Sequence, residues 1–239
     1  MRDNKIFIAN SKQVLADPLQ IARFIDHTLL KPEAQFHDIE KLCSEAVQFN
    51  FKAVCVNPTY VSLAKSNLQS SKVLVASVVG FPLGAHLTKT KVFEAKLAVD
   101  HGADEIDMVI NIGWLRDKKD FEVSQDISAV VACAGTQTKI KVILETSLLN
   151  PDEIRRACKL SAESGAHFVK TSTGFSGGGA TLENVHTMFD SISEKTEIKA
   201  SGGIRDLKFA CELLAAGATR IGTSSGVQLV QSQASTSTY

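Results

Sequence analysis

Three lysines and one aspartate lie on short apolar runs, a setting that suits amine chemistry. Phe168-Val169-Lys170 closes one run and leads into Thr171-Ser172-Thr173-Gly174. Lysine is rarely buried unless it is paired or functional. An amine held in an apolar setting loses charge by desolvation and becomes a nucleophile toward a carbonyl. The alternative is a side chain whose ammonium reaches from a strand end into water. Lys199 closes a second run, Glu197-Ile198-Lys199, at the end matching Lys170 on the next strand. Two neighbouring ammonium groups disfavour double protonation, which pushes one toward the neutral form. Asp107, in Glu105-Ile106-Asp107-Met108-Val109, places a carboxylate near the end of a third run, and Lys141 lies inside a fourth. A carboxylate and a charged lysine beside a nucleophilic lysine make a proton-transfer set. The same residues would also serve as a buried ion-pair network that only holds an interior together.

Two loops suit an anion. Ala200-Ser201-Gly202-Gly203-Ile204-Arg205 follows one run, and Gly222-Thr223-Ser224-Ser225-Gly226 follows another and opens a final helix. Glycine lets backbone approach a ligand closely, and free N–H groups at a helix start point at it. Either loop would also work as a plain tight connection. Gly177-Gly178-Gly179 is a third cradle or a mobile loop. In Asp26-His27-Thr28-Leu29-Leu30, Asp26 and Thr28 are expected at the mouth of the fold, and Cys55 at the end of the next run. Packing and strand-end hydrogen bonds are the ordinary roles of such residues. Gly80-Phe81-Pro82-Leu83-Gly84 reads as a turn with an apolar plug. The six histidines show no close metal-ligand spacing, and no Gly-x-Ser-x-Gly is present.

The elements that must carry these residues alternate. Strands are expected at 23–26, 53–56, 73–79, 105–110, 140–145, 167–170, 197–200 and 220–222. Their continuous apolar character suits a parallel sheet covered on both faces. Amphipathic helices are expected at 38–49, 88–98, 121–134, 152–164, 182–191 and 206–216. Asn150-Pro151-Asp152-Glu153 is a helix start. The glycines of His101-Gly102-Ala103, Ser164-Gly165-Ala166 and Ala216-Gly217-Ala218 suit left-handed helix ends. Eight such units predict the α/β class, as one (β/α)8 TIM-barrel domain over 1–239. Residues 1–20 are read as an extension with an extra N-terminal helix, and 231–239 as a polar, mobile tail. A doubly wound sheet would favour Gly-x-Gly-x-x-Gly after the first strand, and the chain has none.

Composition narrows the partners. Across 239 residues, 26 Lys plus Arg balance 26 Asp plus Glu, and no basic stripe is visible. This argues against nucleic acid and anionic membrane surfaces. No apolar run approaches a membrane span, and no signal-peptide core follows the N-terminus. Five scattered cysteines (43, 55, 133, 158 and 211) read as free thiols of a reducing, cytoplasmic compartment.

From about residue 20 to 230 these phrases, in order, resemble the deoxyribose-phosphate aldolases. They are Asp26-His27-Thr28-Leu29-Leu30, Ala53-Val54-Cys55-Val56, Gly80-Phe81-Pro82, the Asp107 strand, Lys141-Val142-Ile143-Leu144-Glu145-Thr146, the Lys170 and Lys199 segments, and Arg220-Ile221-Gly222-Thr223-Ser224-Ser225. The resemblance implies a class I aldolase that needs no metal and no organic cofactor. Such enzymes reversibly cleave 2-deoxy-D-ribose 5-phosphate to acetaldehyde and D-glyceraldehyde 3-phosphate. It implies Lys170 as the Schiff-base lysine, Lys199 as the neighbour that lowers its pKa, and Asp107 as a proton acceptor and donor acting through water. Thr28, Cys55, Lys141, Thr173, Gly174 and Gly222 are expected to contact substrate. Gly202, Gly203, Ser224 and Ser225 are expected to grip the phosphate. Asp26 and the terminal Tyr239 are candidates for a proton relay. Some members carry Lys where this chain has Phe175, so the phosphate here would rest on amides, hydroxyls and Arg205. The family implies a homodimer or homotetramer working in deoxynucleoside catabolism. Alternatives are another Schiff-base barrel, such as a transaldolase, and a non-catalytic barrel that binds phosphorylated ligands.

Overall fold

The computed structural model describes residues 5–231. Eight parallel strands close into a barrel in chain order, with the eighth pairing back onto the first. They are β1 (Ile25–Leu29), β2 (Ala53–Val56), β3 (Leu74–Val79), β4 (Glu105–Val109), β5 (Lys139–Ile143), β6 (Phe168–Lys170), β7 (Glu197–Ser201) and β8 (Arg220–Thr223). Around them lie α2 (Phe36–Gln48), α3 (Val61–Leu68), α4 (Thr88–Asp100), α5 (Ile112–Arg116), α6 (Asp120–Ala134), α7 (Pro151–Glu163), α8 (Leu182–Ser191), α9 (Leu207–Ala215) and α10 (Gly226–Val230). An extra helix α1 (Lys5–Ala16) precedes the barrel, and its Phe7 meets Phe189 of α8 edge-on at 5.3 Å. This is the (β/α)8 fold that the alternation predicts. Tyr239 and the rest of the expected tail beyond Gln231 lie outside the described residues.

Strand side chains alternate in direction. Val54, Val75, Ile106, Met108, Val142, Val169 and Ile198 join the helices in one continuous core between the strand and helix layers. Inside the barrel a separate small cluster holds Leu30, Cys55, Ala76 and Val78, with Phe81 against it. It occupies the β1–β3 arc. The remaining interior, facing β4 to β8 and the start of β1, carries charged side chains.

Local signals explain the helix ends. Asn150 and Glu153 form a reciprocal cap, each backbone N–H donating to the other's side chain at 2.9 Å. Gly102, Gly165 and Gly217 take φ of 101°, 89° and 117°, as left-handed helix ends require.

Three expectations are corrected. The first strand begins at Ile25, because Pro18–Phe24 coils into 3-10 turns capped by Asp17. That shift places Asp26 inside the barrel instead of at its mouth. Strand β7 runs on to Ser201, so Lys199 stands within the strand instead of closing it. Strand β5 stops at Ile143, and Glu145 turns into a left-handed conformation with φ 58°. Helix α3 lies outside the expected helices, although its buried Val61, Ala64 and Leu68 fall at i, i+3 and i+7.

Candidate active site

Register brings the expected residues together. Lys141 pairs with Asp107 across β4–β5, and Lys170 pairs with Lys199 across β6–β7. Residues in register share a face, so these side chains converge inside the barrel. Asp107 is the hub. Its Oδ2 accepts from Lys170 Nζ and from Lys199 Nζ, each at 2.8 Å, and its Oδ1 accepts from Lys141 Nζ at 2.6 Å. Lys199 Nζ also donates to Asp26 Oδ2 at 2.5 Å. Below them Arg220 bonds Asp26 at 2.7 Å and Glu105 at 2.8 Å and 3.1 Å. Lys141 reaches Glu105 at 2.6 Å. All seven groups are buried.

Their ionisation follows from burial and partners. Burial lowers the Lys170 pKa, and Lys199 adds to the effect, against the pull of Asp107. Burial would lower Lys199 as well, but Asp107 and Asp26 overturn it and hold Lys199 above the usual lysine value. Lys141 is raised in the same way, burial being overcome by Asp107 and Glu105. Burial would raise Asp107, yet three lysines hold its carboxyl well below the usual range. The arrangement sets the one amine whose pKa is lowered above a set of groups held in their charged forms.

A cavity of about 490 Å³ opens above Lys170. Lys170 forms part of its floor, and Thr28, Leu30 and Phe175 line its walls. Its other side is built from Gly174, Gly177 to Gly179, Ser201 to Arg205, and Gly222 to Ser224. The cavity therefore meets both expected anion loops at the C-terminal ends of β7 and β8, where barrel sites of this kind bind phosphate. Gly202 needs its freedom here: its φ is 88°, and a Cβ would come within 2.9 Å of Gly179 Cα. Gly222 has a second use, since a Cβ there would lie 2.9 Å from Lys199 Cε.

Four expected substrate contacts are displaced from the cavity wall or engaged elsewhere. Lys141 is fully buried beneath the floor, held by two carboxylates. Cys55 is buried in the small apolar cluster, and burial raises its thiol pKa. Ser225 is buried, and its N–H donates to Thr223 Oγ1 at 2.9 Å. Thr173 lines the cavity, but its hydroxyl and N–H both donate to Glu145. The buried Glu145 also accepts from Ser176 Oγ at 3.0 Å, so it pins the loop after β6. Glu105, Arg220 and Glu145 were not singled out from the sequence. Glu105 was within reach, since it stands two residues before Asp107 and therefore on the same strand face.

A parallel barrel with a desolvated lysine at the floor of its mouth places the protein among the (β/α)8 aldolases. The DeoC/LacD family aldolase profile matches residues 21–232. The deoxyribose-phosphate aldolase of Natranaerobius thermophilus is 57% identical over 213 residues, 89% of this chain and 97% of that protein. That of Staphylococcus carnosus is 52% identical over 221 residues, 92% of this chain and all of that protein. The tetrameric deoxyribose phosphate aldolase of Aeropyrum pernix superposes with a TM-score of 0.87 at 31% identity, over 97% of this chain and 98% of that one. The chain belongs to the DeoC/LacD aldolase family, and it is a lyase.

Proposed function

We propose that this chain is a class I aldolase that reversibly cleaves 2-deoxy-D-ribose 5-phosphate to acetaldehyde and D-glyceraldehyde 3-phosphate. The observation that carries the reading is the buried Lys170 amine. It lies on the cavity floor, and its carboxylate partner is an oxygen that Lys199 also holds. The neutral amine attacks C1 of the open-chain sugar, and loss of water gives an iminium. The C3 hydroxyl loses its proton, the C2–C3 bond breaks, and its electron pair moves onto C2–C1–N as an enamine. Glyceraldehyde 3-phosphate departs. Protonation at C2 and hydrolysis release acetaldehyde and restore Lys170. Covalent attachment splits one difficult step into easier ones.

Asp107 touches the reacting nitrogen, and Lys199 acts through Asp107. Neither lines the cavity, so their protons reach the sugar by way of water. The apolar side of the interior, Leu30, Ala76, Val78 and Phe81, suits the two-carbon fragment. The glycine and serine loops across the cavity suit the phosphate, with backbone N–H groups as donors. Phe175 stands where a lysine would otherwise reach that phosphate, its ring 5.2 Å from Phe81 and edge-on. Phe175→Lys is therefore expected to raise the preference for deoxyribose 5-phosphate over deoxyribose about tenfold, the scale of one charged hydrogen bond. Equal kcat/KM changes with both sugars would count against this.

The balanced charge, and the lack of a membrane-length apolar helix among the described residues, support a small-molecule substrate over nucleic acid or membrane. Free cysteines among the described residues support the cytoplasm. The tetrameric relative supports a homodimer or homotetramer, and the substrate supports a place in deoxynucleoside catabolism. Borohydride reduction in the presence of acetaldehyde, followed by peptide mapping, tests the reading. An ethyl adduct at Lys170, with acetaldehyde formed from deoxyribose 5-phosphate, is expected. No adduct would favour a non-catalytic phosphate-binding barrel, and an adduct without cleavage of this sugar would favour another Schiff-base aldolase.

A further inference from the structure

The ion-pair network around Asp107 holds three acids, Asp26, Glu105 and Asp107, and four bases, Lys141, Lys170, Lys199 and Arg220. Outside this network, the buried Glu145 accepts from Thr173 and Ser176, and Arg205 lines the cavity above Lys170. Cys55 is neutral, its pKa raised by burial. Lys139, His167 and Glu197 lie at the opposite, solvent-facing ends of their strands. An unbalanced charge in a buried network is costly. One base must therefore give up its proton. It is not Arg220, whose guanidinium stays charged in proteins. The contacts decide among the lysines. Lys141 has carboxylate oxygens at 2.6 Å, 2.6 Å and 3.8 Å, from Asp107, Glu105 and Asp26. Lys199 has them at 2.5 Å and 2.8 Å, from Asp26 and Asp107. Lys170 has one, at 2.8 Å, shared with Lys199. Lys170 is the least compensated.

We propose that Lys141 is a positioning residue: its ammonium, out of reach of substrate, completes the excess of bases that leaves Lys170 uncharged. The proposal rests on Lys170 being the imine-forming amine. It gives a purpose to a lysine that lies beneath the cavity and touches only protein. With Lys141 replaced by Met, three acids would face three bases, and Lys170 would keep its proton. The interior would still balance, so the fold survives.

The test is the pH dependence of kcat/KM for Lys141→Met, for Lys141→Gln and for the double variant Lys141→Met/Glu105→Gln. An opposite charge left uncompensated nearby moves a pKa by one unit or more. The acidic limb of both single variants is expected to move up by about one pH unit, a loss of about tenfold at neutral pH that is recovered in alkali. The double variant returns to two acids and three bases, so its limb is expected back at the wild-type position. A purely structural Lys141 would lower activity evenly across pH, with no rescue by Glu105→Gln. Unmoved limbs in the single variants, or a displaced limb in the double variant, would overturn the proposal. If neither single variant folds, the double variant decides alone. Acetaldehyde trapping on the wild type keeps the two readings apart: an adduct with an unmoved limb sinks only this proposal, whereas no adduct sinks the reading beneath it.

Discussion

Replacing Lys170 by Met is expected to remove both imine trapping and turnover, with a loss of about 10⁴-fold or more. General acid–base help contributes about 10²–10⁴-fold and needs a bound intermediate to act on. Without the amine there is no electron sink, so Asp107 and Lys199 have nothing to assist. Members of such a set act as a unit, and losing the nucleophile costs nearly the whole of it. The variant should fold. Lys170 is buried with one carboxylate contact, and its removal leaves three acids facing three bases. Circular dichroism and thermal melting would check this beside steady-state rates. Turnover within tenfold of wild type in a folded Lys170→Met protein would contradict the mechanism.

Lys199→Met is expected to show a different pattern. Its turnover should fall about 10²–10⁴-fold, because a proton-transfer partner of Asp107 is gone. Its pH profile should also move. The proposed mechanism needs neutral Lys170, so activity should be lost as pH falls through the Lys170 pKa. Lys199 is one of the causes that lower that pKa. Without it Asp107 Oδ2 belongs to Lys170 alone, the pKa rises, and the acidic limb shifts to higher pH. Alkali should restore part of the rate but not the proton-transfer deficit, which separates this variant from Lys141→Met. A Lys199→Met enzyme with reduced kcat and an unmoved limb would mean that Lys199 moves protons without setting the charge of its neighbour.

Much of this was legible from residue types alone. The eight apolar runs fall within one or two residues of seven of the strands, because strands buried on both faces read as unbroken hydrophobic stretches. The placing of Lys170, Lys199 and Asp107 in one interior followed from that frame. What the sequence withheld was depth. A two-residue shift of β1, caused by the preceding 3-10 turns, moved Asp26 from the mouth to the interior. Lys141 was expected to contact substrate from the resemblance alone, and its place within the strand does not tell how far below the cavity it lies. Glu145 sits at a turn in a left-handed conformation that no local pattern announces, and its partners lie about 30 residues away. The three-to-four balance of acids and bases depends on Arg220 and Glu105, which meet across the barrel over 115 residues of chain. No spacing rule reports such a contact.

The most direct test is a titration of Lys170 itself, by NMR of protein labelled at the lysine ε-position, with Lys170→Met used to assign the signal. Free lysine titrates near about 10.4. The Lys170 resonance should deprotonate below that value and before those of Lys141 and Lys199, so that the amine is free where the enzyme turns over. A Lys170 signal that stays cationic throughout the active pH range, while another lysine loses its proton first, would refute it.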